Sequence, residues 1–198
     1  MTVDEMRLFL VENKQNRNLI KDKIYGAGTF RDACVLSKYH LTPQSYGEVL
    51  NVWLRNHYNF KKISASQKEG DDLIHDQYKT EVKISIADDG KQANFVQIRL
   101  THGIDFYLLI VYDMVKDNVH YFLVNKKDMT DLVVRYGGLA HGTKGEKGLI
   151  TENLDNPDIE HALRPKIGTQ LWSDLQKFAI SEKEINEKSV WKKRKEKR

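Results

Sequence analysis

With a single cysteine, Cys34, the chain can form no intrachain disulfide and no thiolate zinc site. Seven histidines do not fill that gap, because none stands in a His-x-x-x-His or His-Glu-x-x-His spacing. Long apolar runs are also missing. The most continuous one, Phe106 to Tyr112, is far below the roughly 20 residues that cross a bilayer. The N-terminus, Met1-Thr-Val-Asp-Glu5, carries acids where a secretory leader carries positive charge, so a cytoplasmic location is expected. Neither an internal repeat nor a linker between domains is evident. Most of the chain also lacks an excess of positive charge. Lys188 to Arg198 hold seven basic residues and one acid; of the 32 basic and 28 acidic residues overall, the remainder keeps 25 against 27. A net charge of +4 therefore describes the tail, and any polyanion-binding surface on the body must be a local patch.

What is present is an ordinary globular balance, 40% hydrophobic and 30% charged, over 198 residues, which suits one domain with a real core. Thr2 to Glu5 reads as a capping box that opens a helix running to about Tyr25, with Gly26-Ala-Gly28 ending it. A second helix is predicted from about Phe30 to Tyr39. A third follows Thr42-Pro43, with Tyr46, Val49, Leu50 and Trp53 on one face. The period then changes. Asp72 to His75 and Lys79 to Ser85 read as short strands around a turn at Asp76-Gln77. Phe106 to Asp113 reads as a strand buried on both faces, with Val119 to Val124 as its neighbour. Helical spacing returns at Lys126 to Tyr136 and at Thr169 to Phe178. Between them, Gly137 to Gly168 is predicted to be a long loop. The outline is one α/β domain over residues 1–187, with 188–198 as a basic tail, expected to be a disordered end or, alternatively, an arm touching phosphates.

The chemistry concentrates in Gly70 to Ser85. A two-residue turn at Asp76-Gln77 sets His75 opposite Tyr78, Ile74 opposite Lys79, Leu73 opposite Thr80 and Asp72 opposite Glu81. Directly opposed residues have Cβ atoms roughly 4.5–5.5 Å apart, where like charges repel. Two carboxylates held so close call for a divalent cation, and oxygen donors of this kind suit Mg²⁺, with Mn²⁺ as a substitute. Alternation puts Lys83 on the same face as Glu81, while Val82 and Ile84 turn to the core. An ammonium there can position an attacking water or offset charge on a phosphate. The same register sends Asp71 to the other face; a slip of one residue exchanges Asp71 for Asp72.

An Asp followed by apolar residues, then Glu-x-Lys on the next strand, resembles the PD-(D/E)XK nuclease superfamily. The resemblance rests on Asp72-Leu-Ile and Glu81-Val-Lys83-Ile-Ser85, about fifteen residues, and Asp71 stands where the motif's proline would be. It implies a restriction-endonuclease-like α/β fold, a mixed central β-sheet flanked by helices. It also implies Mg²⁺-dependent hydrolysis of DNA leaving 5′-phosphate and 3′-hydroxyl ends. Asp72, Glu81 and Lys83 would be the catalytic residues, and Asp72 and Glu81 the metal ligands. The function expected is that of a small type II-like restriction endonuclease on double-stranded DNA, acting as a homodimer, with a cognate DNA methyltransferase encoded nearby. The alternatives are a repair or junction-cleaving nuclease of the same fold, or a non-catalytic DNA-binding protein.

Supporting residues follow from position. Glu48 stands where relatives carry an extra acid, yet it lies opposite the apolar stripe of its helix and reads rather as a surface glutamate. Ser85 either lines the site or ends its strand. Gln97 and Arg99, in Phe95-Val-Gln-Ile-Arg99, are candidates to touch the scissile phosphate. Arg135 and the glycine-rich stretch with His141, Lys144 and Lys147 are candidates for contact with the DNA backbone or base edges.

Overall fold

All eight residues of strand β5, Phe106–Asp113, are buried, as a strand covered on both faces requires. The computed structural model describes residues 1–58, 60–62, 73–75, 78–87, 92–140 and 154–196. Around β5 a six-stranded sheet runs in the order β1 (Phe60–Lys62), β2 (Leu73–His75), β3 (Tyr78–Ala87), β5, β6 (Asn118–Asn125), β9 (Ala179–Ile180). β3 and β5 are parallel; the other neighbours are antiparallel. The fold is therefore α/β with a mixed central sheet and helices on its flanks.

Phe106, Leu108, Ile110 and Tyr112 of β5 face one apolar cluster, built with helices α1 (Val3–Glu12), α2 (Arg17–Tyr25), α3 (Phe30–His40), α4 (Pro43–His57) and the C-terminal α7 (Lys188–Glu196). Tyr107, Leu109 and Val111 face a second cluster with α5 (Lys126–Tyr136) and α6 (Gln170–Gln176). Over that second face lies a small sheet, β4 (Phe95–Ile98), β8 (His161–Leu163) and β7 (Gly138–Leu139), in the order β4-β8-β7.

Local sequence explains the helix ends. Thr2 and Glu5 form the expected capping box. The single helix predicted up to Tyr25 is instead two. Asn13 closes α1 by donating from Nδ2 to the Phe9 carbonyl at 2.9 Å, and the Asn16 side chain opens α2 by accepting from Leu19 N at 3.1 Å. Asparagine favours such capping over a place within a helix. Thr42 precedes α4 with Pro43 in the first turn, although its hydroxyl meets Ser45 Oγ rather than a backbone amide.

Two expectations need correction. Part of the predicted loop over 137–168 is β7 and β8, strands of two and three residues, too short to leave an alternating pattern. The basic tail is not disordered over 188–196 but forms α7. Trp191 is its anchor: it is fully buried, donates from Nε1 to the Ile185 carbonyl at 2.9 Å, and packs edge-on against Phe60 and Phe106. No helix among the described residues is long and apolar enough to cross a membrane.

Candidate active site

The hairpin carries the pairing that the two-residue turn requires: Leu73 faces Thr80, Ile74 faces Lys79 and His75 faces Tyr78. Asp71, Asp72 and the turn Asp76-Gln77 lie outside the described residues, so the next pair, Asp72 with Glu81, is not described. β3 runs on past the described part of β2 to Ala87, so Ser85 lies within the strand and does not end it.

Alternation along β3 divides its side chains. Val82 and Ile84 pack against the helical cluster. Glu81, Lys83 and Ser85 pair in register with Tyr107, Leu109 and Val111, the β5 residues of the opposite face. There the Lys83 ammonium forms an ion pair with Glu81 Oε1 and donates to the Gln97 carbonyl at 2.9 Å. Glu81 is 6% exposed, and its second oxygen, Oε2, has no hydrogen-bond partner among the described residues. A buried carboxylate oxygen left so is costly, and a bound cation or water is the usual remedy.

Gln97 reaches Lys83 through an irregularity. Between Phe95 and Ile98, three steps along β4 match two along β8, a bulge, and Gln97 takes a left-handed backbone with φ of 57°. A non-glycine residue held there is strained by about 1–2 kcal/mol. What the strain secures is a carbonyl aimed at the lysine, which sequence reading had not foreseen; it had expected the Gln97 side chain to act.

Lys83, Ser85 and Gln97 line a cavity of about 580 Å³ beside β3, which Tyr46 and Gly47 of α4 also line. Ser85 Oγ accepts from Asn94 N at 2.9 Å, which ties the chain after β3 to the strand. Glu81 does not line this cavity, although Val82 and Lys83 after it do. Glu48 is exposed on α4 and is not among the lining residues, so it behaves as a surface glutamate.

Sequence reading missed His102. It sits in the turn between β4 and β5, 5% exposed, with Nδ1 unpartnered among the described residues. Its pKa is lowered, first by burial, with Arg99, Lys83 and Lys126 adding to that effect and Glu81 opposing it. The Lys126 ammonium donates to the His102 carbonyl at 2.6 Å, and Arg99 is ion-paired to Glu160. Arg99 is thus near the site, but its charge is already engaged. No spacing in the sequence marks His102; only the fold brings the turn against Glu81. Arg135 is exposed on α5 and lines a different, small cleft with Asp128, Asp131, Asp174 and Lys177. His141, Lys144 and Lys147 lie outside the described residues.

The described donor chemistry fits a hard divalent ion at Glu81, whose free carboxylate oxygen is the kind of ligand Mg²⁺ and Mn²⁺ take. Among the described residues no three His, Cys, Asp or Glu side chains come together for a metal, and Asp72 lies outside them. Compared with family models, curated proteins and solved structures, the chain finds no match.

Proposed function

We propose that the chain is a metal-dependent endonuclease of the PD-(D/E)XK kind, cutting double-stranded DNA at a specific sequence as a type II-like restriction enzyme does. The observation that carries the reading is the Glu81–Lys83 pair on one face of β3: Glu81 buried with one carboxylate oxygen unpartnered among the described residues, and Lys83 half-buried at a cavity wall. The restriction-endonuclease-like form of the mixed sheet belongs to the same proposal. Asp72 and Glu81 would hold Mg²⁺, which when bound supplies Lewis-acid polarisation of the phosphate and a more acidic water.

Every other role falls to the chain itself. Glu81 Oε1 and the Gln97 carbonyl hold the Lys83 ammonium from two sides, so its position is set before substrate arrives. From there Lys83 orients the attacking water and offsets charge on the scissile phosphate. Ser85 fixes the chain that forms the cavity floor by accepting from Asn94 N. Two-strand cutting with one such centre per chain entails a homodimer on a palindromic site.

A second reading is favoured by one observation: Glu81 is 6% exposed and does not reach the cavity. In that reading the ion pair is structural and the chain binds DNA without cutting it. The deciding experiment is incubation of unmethylated plasmid or phage DNA with Mg²⁺, beside an EDTA control and Lys83→Ala. Discrete fragments from the wild type alone support the restriction reading. Smears or junction-only cutting move it to repair. Intact DNA with binding retained leaves the non-catalytic reading standing.

A further inference from the structure

Five of the nine residues of α7 are cationic, against one acid, on a chain whose residues 1–187 carry slightly more acids than bases. Charge of one sign gathered this densely repels itself, and the exposed Lys192–Glu196 pair at 4.0 Å offsets little of it. The helix is nevertheless held firmly. Trp191 is buried in the core, Arg194 donates to the carbonyls of Lys177 at 3.1 Å and Ala179 at 2.9 Å, and Asn125 Nδ2 donates to the Arg194 carbonyl at 3.3 Å. Lys195 pairs with Asp105 Oδ1 at 2.7 Å and lies over the Tyr78 ring at 5.1 Å. Asp105 Oδ2 in turn accepts from Lys79 N at 3.0 Å. The end of α7 is thus fastened to the start of β3, two residues before Glu81.

We infer that α7 is a fixed phosphate-backbone clamp for duplex DNA, with Lys192 and Lys193 on its solvent side as contacts. Lys192 is 73% exposed and Lys193 is exposed, so both are available to a backbone lying across the helix. A rigid cationic helix needs no ordering on binding, unlike a flexible arm, so the entropy lost per contact is small. Contacts of this kind position the duplex without reading its sequence. Their helix packs on the sheet face opposite to Glu81 and Lys83, so the clamp holds the duplex at the start of β3, the end of the strand that carries the pair. The inference rests on the nuclease reading only in taking DNA as the ligand.

The test is binding of a labelled random-sequence duplex by the full chain in EDTA, followed by fluorescence anisotropy from 50 to 200 mM salt. Lys192→Gln/Lys193→Gln is the variant, and Lys192→Arg/Lys193→Arg is the charge-keeping control. Two lost phosphate contacts lower the slope of log K against log salt by about 1.8, which makes the affinity lost over that salt range about tenfold smaller in the glutamine variant. The arginine variant keeps the wild-type slope. An unchanged slope in the glutamine variant, no duplex binding by the wild type, or a preference for anionic lipid vesicles over the duplex overturns the inference. Cleavage with Mg²⁺, run in parallel, separates the two proposals. Cutting with an unchanged slope removes the clamp and keeps the nuclease; a lowered slope without cutting does the reverse.

Discussion

Strands β3 and β5 lie side by side, parallel and in register from Thr80/Phe106 to Ala87/Asp113, yet they are made of different material. β5 is Phe-Tyr-Leu-Leu-Ile-Val-Tyr-Asp, all buried. Over the stretch Lys79 to Ser85, β3 places Lys79, Thr80, Glu81, Lys83 and Ser85 beside it. A buried strand gains nothing in stability from an ion pair that apolar residues could replace; buried pairs often cost more in desolvation than they return. The difference separates scaffold from site: β5 holds the sheet together, and β3 carries groups whose burial the fold does not need.

The largest expected effect is on the scaffold side. Phe106 meets Tyr78 at 5.4 Å and Trp191 at 5.3 Å between ring centroids, both edge-on. Phe106→Ala leaves a cavity at the junction of β3, β5 and α7, and the expected loss is about 3–5 kcal/mol in urea unfolding. A loss below about 1 kcal/mol would mean that these rings do not form one packed unit.

Next comes the pair itself. Lys83→Met strands the Glu81 carboxylate, and the expected loss is about 3 kcal/mol, the low end for a broken buried pair because the lysine keeps some solvent contact. Glu81→Leu/Lys83→Met removes both charges, and its stability is expected to lie within about 1 kcal/mol of wild type or above it. If the double variant is as unstable as the single one, the pair is part of the scaffold and the contrast between the strands fails.

That contrast was only half legible in the sequence. β5 announces itself, since seven apolar or aromatic positions in a row leave no polar face. The hairpin register was legible as well, because a two-residue turn leaves one pairing that keeps Val82 and Ile84 off the polar face. What escaped reading depends on contacts distant in sequence. His102 reaches the neighbourhood of Glu81 only because the β4–β5 turn folds over that face, and the Gln97 carbonyl turns to Lys83 only through a bulge against β8. α7 escaped because Val190 and Trp191 are just two apolar residues in a run of lysines. Their burial follows from a core that the tail's own composition does not show.

Away from the site, the buried His161 and the half-buried His120 give a pH effect of intermediate size. Burial lowers the pKa of His161, and burial above all, helped by Lys116 and opposed by Asp113, lowers that of His120, both from 6.5. A depressed value means that the unfolded chain binds the proton more readily than the folded one. Stability is thus fully present above about pH 6.5 and is lost as pH falls towards the folded values, by at most about 1.4 kcal/mol per pH unit for each group. The urea midpoint is therefore expected to be lower at pH 5.5 than at 7.5, with a shallower decline in His161→Leu. A midpoint that rises on acidification contradicts the assignment.

The smallest effect probes how β3 is served by its neighbour. Gln97 holds a left-handed backbone, φ 57°, so that its carbonyl accepts from Lys83. Glycine adopts that conformation freely, which relieves about 1–2 kcal/mol of strain while returning about 0.5–1 kcal/mol of unfolded-state entropy. Gln97→Gly is therefore expected to raise stability by about 0.5 kcal/mol and to leave the carbonyl where it is. Gln97→Val opposes the same backbone: a β-branched residue resists φ above zero, so the bulge must shift and Lys83 loses one of its two holds. On the nuclease reading, the valine variant loses cleavage rate while the glycine variant keeps it. Equal cleavage by both would show that Lys83 needs only Glu81 to stand where it does, and that the bulge serves the small sheet rather than the site.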